Sequence, residues 1–142
     1  ANPIYTHPRN LPISCVRSAD MDRVVITNGC LLGKSKLKRC VVGLRSVVGD
    51  DVELENVVLM GADFFEDQEM HRANKKTEHP NIGIGDGTLI RDTIIDKNAR
   101  IGCNVRLSPA GLPDGPLTNG LHVRDGVLVV EKNAVIKNGF KL

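Results

Sequence analysis

The stretch LIRDTIIDKNARIGCNVRL, Leu89 to Leu107, places an aliphatic side chain at every sixth position: Leu89, Ile95, Ile101 and Leu107. The same interval separates Ile26 from Leu32, runs through Val42, Val48 and Leu54, and returns between Val130 and Ile136. Glycine often follows the aliphatic, as in Leu32-Gly33, Val42-Gly43, Val48-Gly49 and Ile101-Gly102. A period of six is neither the roughly 3.6 of a helix nor the alternation of a simple strand. It describes a short strand and a turn, repeated, with one side chain per repeat directed into a shared interior. Units that bury a face only against their neighbours stack into a solenoid, so this period predicts an all-β chain wound as a parallel β-helix. Val42, Val48, Leu54, Leu89, Ile95 and Ile101 are its expected interior.

Composition agrees. The 142 residues suffice for one domain, 41% are hydrophobic, and only 3% are aromatic with no Trp. The core must therefore be built from Val, Ile, Leu and Ala, which suits a narrow solenoid. A net charge of +2 without a dense Lys/Arg stripe gives nucleic-acid binding little support. No apolar run approaches the ~18 residues of a membrane span, so neither nucleic acid nor membrane is an expected partner. The first residues have neither a basic nor an apolar signal region, and a chain opening on Ala1 reads as a processed chain or, the favoured expectation, a piece of a longer one. Cys15, Cys30, Cys40 and Cys103 lack C-x-x-C spacing, which argues against zinc. Cys30, Cys40 and Cys103 fall at repeat positions that a small apolar residue would fill, so they read as buried thiols in a reducing, intracellular compartment.

Residues 1–12, with three prolines and little periodicity, read as an interdomain lead-in, and 13–142 as the β-helix domain. Two excursions interrupt it. Residues 62–81 are charged, carry Phe64 and Phe65 at their root, and include a short helical stretch from Glu66 to Lys76. Residues 108–121 are too rich in Pro and Gly for a regular element. The chain then returns as HVRDGVLVVEKNAVIKNGF, expected to form two capping coils, and the strands throughout the chain are expected to be about three residues each.

No catalytic constellation emerges from the residues themselves. Gly83-Ile84-Gly85-Asp86-Gly87 lacks the spacing of a phosphate-cradling loop and reads as a turn between coils. His7, His71, His79 and His122 lie in the lead-in or the excursions, where exposure is expected. Lys97 in IIDKNARIG and Lys132 in VVEKNAVIKNG share a local pattern of acid, Lys, Asn, Ala and aliphatic, so both occupy the same corner of their coils. As residues alone they read as solvated corner lysines, although two lysines on one rigid edge, joined by Arg9, could also hold an anion such as phosphate.

A specific resemblance goes further. PIYTHPRNLP, VVGLRS, LMGAD, IIDKNARIG and GLHVRDGVLVVEKNAVIKNG, in that order and spacing, resemble the C-terminal regulatory and oligomerisation domain of ADP-glucose pyrophosphorylase (glucose-1-phosphate adenylyltransferase), of the plant, algal and cyanobacterial type. Parallel crossovers are usually right-handed. Likeness to hexapeptide-repeat proteins, which break that rule, implies a left-handed parallel β-helix (a hexapeptide-repeat solenoid) with two loop excursions. The family makes ADP-glucose and pyrophosphate from ATP and glucose 1-phosphate for starch or glycogen synthesis, with Mg2+ accompanying ATP. It works as a homo- or heterotetramer under 3-phosphoglycerate and phosphate control.

Its Gly-rich catalytic loop, of GGxGTRL type, belongs to an N-terminal domain that is absent from these residues. The resemblance therefore implies no cofactor in this domain, no activity from it alone, and partners in that catalytic domain and in other subunits. By position, Lys97 and Lys132 match the family's activator-site lysines, Asp96 lies beside the first, and Arg9 matches an arginine at the domain junction. Such a protein is soluble, in the plastid stroma of a plant or alga or in a bacterial cytoplasm. Leu121-His122 replaces the family's usual aromatic pair, and residues 108–121 lack its common acidic run. The effector and the subunit type stay open at this point. Two rival readings stand beside it: a trimeric hexapeptide acyltransferase with a catalytic His on a coil edge, and a purely structural assembly solenoid.

Overall fold

The computed structural model describes residues 10–142. A first coil runs through β1 (Cys15–Val16) and β2 (Ala19–Ile26), a second through β3 (Leu31–Leu32) and β4 (Ser35–Val42), and a third through β5 (Val47–Val48) and β6 (Val52–Leu59). The chain leaves the solenoid for α1 (Gln68–Lys76), then resumes with β7 (Gly83–Ile84), β8 (Leu89–Ile95), β9 (Arg100–Ile101) and β10 (Arg106–Leu107). A second departure holds β11 (Gly115–Pro116), β12 (Leu121–Arg124) and β13 (Val127–Val130), and β14 (Val135–Ile136) ends the stack.

Successive coils pair in parallel. Ala19 of β2 lies beside Ser35 of β4, sixteen residues on, and Ser35 beside Val52 of β6, seventeen residues on. The short strands β1, β3, β5, β7, β9 and β14 form one continuous sheet, and β2, β4, β6 and β8, together with β10 to β13, form the other. This is the parallel β-helix that the period of six predicts.

The long strands are not the three-residue pieces expected. β2, β4 and β6 each span eight residues. Each bends midway at a residue of positive φ: Arg23 at 55°, Arg39 at 54° and Asn56 at 55°, with Asp92 at 48° doing the same in β8. One long strand thus lines two faces of the coil. Left-handed backbone disfavours most L-residues but is tolerated best by Asn and Asp. Most of the turning residues are of that kind, including Asp51, Asn98, Asn104 and Asn133.

The midway bend alters the register of the interior. Val42, Val48, Leu54, Ile95 and Ile101 are buried as expected, each 2% exposed or less. Leu89 is the exception. It is only half-buried, and Ile90 beside it is fully enclosed. The interior steps are six residues from Ile84 to Ile90, five from Ile90 to Ile95, and six again to Ile101 and Leu107. The five-residue step spans the corner at Asp92, so counting strictly by six lands one residue short of the true interior position.

Two segments leave the solenoid, the first after β6 and the second after β10. The first contains α1, whose N-terminus is capped by the Asp67 carboxylate accepting from the Met70 N–H at 2.8 Å. The second is more ordered than its composition predicts, because β11 pairs antiparallel with β12 and β12 with β13. The expected pair of capping coils is therefore a hairpin followed by one coil. Asp125 and Gly126 turn the hairpin at φ of 50° and 74°, the Asp-Gly pairing favoured in two-residue connections. Cys30 and Cys40 are buried free thiols, Cys103 is half-exposed and Cys15 exposed. His71 and His79 are exposed. His122, half-buried, lies on strand β12 rather than in an irregular loop, 3.4 Å from Glu131. Among the described residues no helix is long and apolar enough to cross a membrane.

Candidate functional site

The corner that bears Lys97 is built by the residue that follows it. Asn98 adopts φ of 61°, and Asn133, the equivalent residue one coil later, also adopts 61°. The next residues, Ala99 and Ala134, are small and point inward, 4% and 9% exposed. The repeated Lys-Asn-Ala is thus a turn signature: Asn supplies the left-handed backbone, Ala fits the narrow interior, and Lys is left on the rim. Coil stacking superimposes the two turns, since the Asn133 N–H donates to the Lys97 carbonyl at 3.0 Å and Asn98 Nδ2 donates to Asn133 Oδ1 at 3.3 Å.

The coil before Lys97 reaches the same corner at Gly61, whose carbonyl accepts the Asn98 N–H at 3.1 Å. Two residues on, Asp63 turns its carboxylate to the lysines. Lys97 Nζ lies 3.0 Å from its Oδ1 and Lys132 Nζ 3.1 Å from its Oδ2. Asn98 completes the cage: its Nδ2 donates to Asp63 Oδ2 at 3.1 Å, and its Oδ1 accepts the Asp63 N–H at 2.8 Å. The Lys97 hydrogen bond above all, then those of Lys132 and Asn98, holds the Asp63 carboxyl far below the usual carboxylate range. The two lysines are brought to one anion, and that anion belongs to the chain.

Asp96 has a different part. Its Oδ1 accepts the backbone N–H of Lys97 at 2.6 Å, bracing the turn rather than meeting the ammonium groups. Arg9 lies outside the described residues. Asp63 was not among the residues singled out by sequence. Two signals pointed to it: its place at the end of the LMGAD segment, and its position just past Gly61-Ala62, at the corner one coil ahead of Lys97.

The root of the first excursion is fastened beside this corner. Arg45 donates to the Ala62 carbonyl at 3.2 Å and lies 5.8 Å from the centre of the Phe65 ring. The Glu66 side chain is 3% exposed and takes Arg100 at 2.7 Å, the Ile82 N–H at 2.8 Å and Asn74 at 2.9 Å. Burial opposes ionisation of Glu66, yet these donors together leave its carboxyl below the ordinary value. Asp63 therefore projects from a fixed strut. Among the described residues no three His, Cys, Asp or Glu side chains gather as metal ligands.

Residues 9–140 match the family described as the GLGC left-handed parallel β-helix domain. The chain belongs to that family. Its solenoid is accordingly left-handed, as the hexapeptide resemblance implies. The GLGC-type domain is also 38% identical over 139 residues to the glucose-1-phosphate adenylyltransferase small subunit, chloroplastic/amyloplastic, of Triticum aestivum. That alignment covers 96% of this chain and 29% of the wheat protein, so the GLGC-type domain spans less than a third of that relative.

Proposed function

We propose that this chain is the regulatory and subunit-assembly domain of an ADP-glucose pyrophosphorylase, whose whole protein joins ATP and glucose 1-phosphate into ADP-glucose and pyrophosphate for starch or glycogen synthesis. Its part in that protein is to supply half of an effector site for 3-phosphoglycerate and phosphate, the remainder coming from an N-terminal catalytic domain. The observation that carries this reading is the convergence of Lys97 and Lys132 on a single carboxylate, at 3.0 and 3.1 Å. Two ammonium groups from successive coils that can share one carboxylate are spaced to share a phosphate. A plastid or a bacterial cytoplasm is the compartment that goes with it.

The assembly half rests on a separate observation. Val25, Val41, Val58, Ile94 and Val129 stand side by side across five paired strands, and the first four are 60%, 42%, 40% and 38% exposed. At about 4.8 Å per strand this is an outward aliphatic stripe of roughly 19 Å. It suits contact with another subunit of the parent tetramer.

The regulatory test uses the whole protein. Lys97→Ala or Lys132→Ala should raise the 3-phosphoglycerate concentration for half-activation by about 10–150-fold, the loss of one charge-assisted hydrogen bond to the effector. Turnover without activator should stay close to wild type, because neither lysine takes part in the chemistry. Two alanine variants with unchanged activation curves would return both lysines to the status of solvated corners.

A further inference from the structure

Asp63 is the one member of the corner to which neither the motif pattern nor the proposed effector site gives a role. We propose that Asp63 is a built-in competitor for this anion site: it occupies the place of the ligand, and its displacement sets how highly charged an anion must be to bind. The inference rests on the reading of Lys97 and Lys132 as an anion site.

Three features support it. First, both lysines are committed to Asp63 through different oxygens, so an anion seated between them takes over two charge-assisted hydrogen bonds that already exist. Second, the backbone of Asp63 is held independently of the lysines. Its N–H is bound to Asn98 Oδ1 at 2.8 Å, and the neighbouring Ala62 N–H to the Leu44 carbonyl at 2.8 Å. The side chain can swing away without unfolding the corner, and at 40% exposure it faces the solvent from which a ligand arrives. Third, the other acids nearby do not replace it. Asp96 is spent on the Lys97 backbone N–H, and Glu131 lies 3.4 Å from His122.

The consequence is selection by charge. With Asp63 in place the three-residue cluster carries a net single positive charge, too little to hold a monoanion that offers no more than Asp63 does. A phosphate dianion brings two charges and more acceptor oxygens, so it can take both lysines. Without Asp63 the pair of lysines would bind anions more tightly and with less discrimination.

The experiment is calorimetric titration of the full-length protein with inorganic phosphate at fixed ionic strength. It compares wild type, Asp63→Asn, Asp63→Glu and Lys97→Ala, each with and without chloride as competing monoanion. Asp63→Asn should bind phosphate at least about tenfold tighter than wild type and become sensitive to chloride, while Asp63→Glu stays within about twofold of wild type. Asparagine keeps the oxygen that accepts from Asn98; if that variant does not fold, Asp63→Ser takes its place with the same expectation. Phosphate binding that is unchanged or weaker without the Asp63 charge, while Lys97→Ala weakens it, overturns the competitor and leaves the lysine site standing. Phosphate affinity unaffected by Lys97→Ala overturns both.

Discussion

Asp63 and Glu66, three residues apart, are both carboxylates held in their charged form, one by lysines at the rim and the other by Arg100 in a nearly closed pocket. A carboxyl whose folded pKa lies below its unfolded value of about 4 stabilises the fold above that pH, and the contribution is lost as pH falls through the folded value. Asp50 and Glu55, shifted in the same direction, add to the effect. The melting temperature should therefore decline as pH drops from about 5 towards 2, and Asp63→Asn should flatten part of that decline in a calorimetric pH series. A decline of equal steepness in the variant would show that the lysine cage contributes nothing to the folded state. The interior supplies a second residue-scale prediction. Ile90→Ala should cost about 2–5 kcal/mol, because the side chain is fully enclosed. Leu89→Ala should cost nearer 1 kcal/mol, because Leu89 is only half-buried. Urea unfolding of the two variants checks the register, and a larger loss from Leu89→Ala would contradict it.

Among the elements, the coils are joined so closely that glycine is required where they touch. A Cβ placed on Gly85 would lie 2.6 Å from the carbonyl carbon of Gly102 in the next coil. Gly85→Ala should thus force two coils apart and cost about 1–3 kcal/mol in the same unfolding assay, by overpacking rather than by a cavity. An alanine variant as stable as wild type would mean that the coils can separate freely at this corner. The hairpin of β12 and β13 shows a local signal that the six-residue period obscures: Arg124-Asp125-Gly126-Val127 carries the Asp-Gly turn between two aliphatic strands. Leu121 and Val123 of its first strand are 2% exposed. Its second strand, β13, pairs in parallel with β8 and begins the last coil, while β12 folds back antiparallel along the outer edge of β13.

For the whole molecule, the outward stripe through Val25, Val41, Val58, Ile94 and Val129 is an aliphatic band running straight across the paired strands. Water contact with such a band is unfavourable by about 25 cal/mol for each Å² that a partner could cover. The parent protein should therefore be oligomeric, and Val58→Lys together with Ile94→Lys should shift it towards smaller species in sedimentation velocity while its far-ultraviolet circular dichroism stays that of the folded chain. An oligomeric state unchanged by both lysines would place the subunit contact elsewhere. Neither substitution touches the interior, so a loss of assembly would not be a loss of fold.

The recurrence of aliphatics every sixth residue was enough to determine the solenoid and its inward side chains at Val42, Val48, Leu54, Ile95 and Ile101. One side chain per turn must be buried for such a coil to exist, and that demand is written locally in the chain. Lys97 and Lys132 were legible as a pair because the same Lys-Asn-Ala turn recurs. Three features were decided only in three dimensions. Ile90 displaced Leu89 because a left-handed residue at Asp92 shortens one step, a backbone choice that the hydrophobic pattern does not encode. The hairpin replaced a coil because antiparallel pairing depends on which strand lies alongside. Asp63 reached Lys97 and Lys132, 34 and 69 residues away in sequence, because stacked coils bring distant residues to adjacent rungs of one corner.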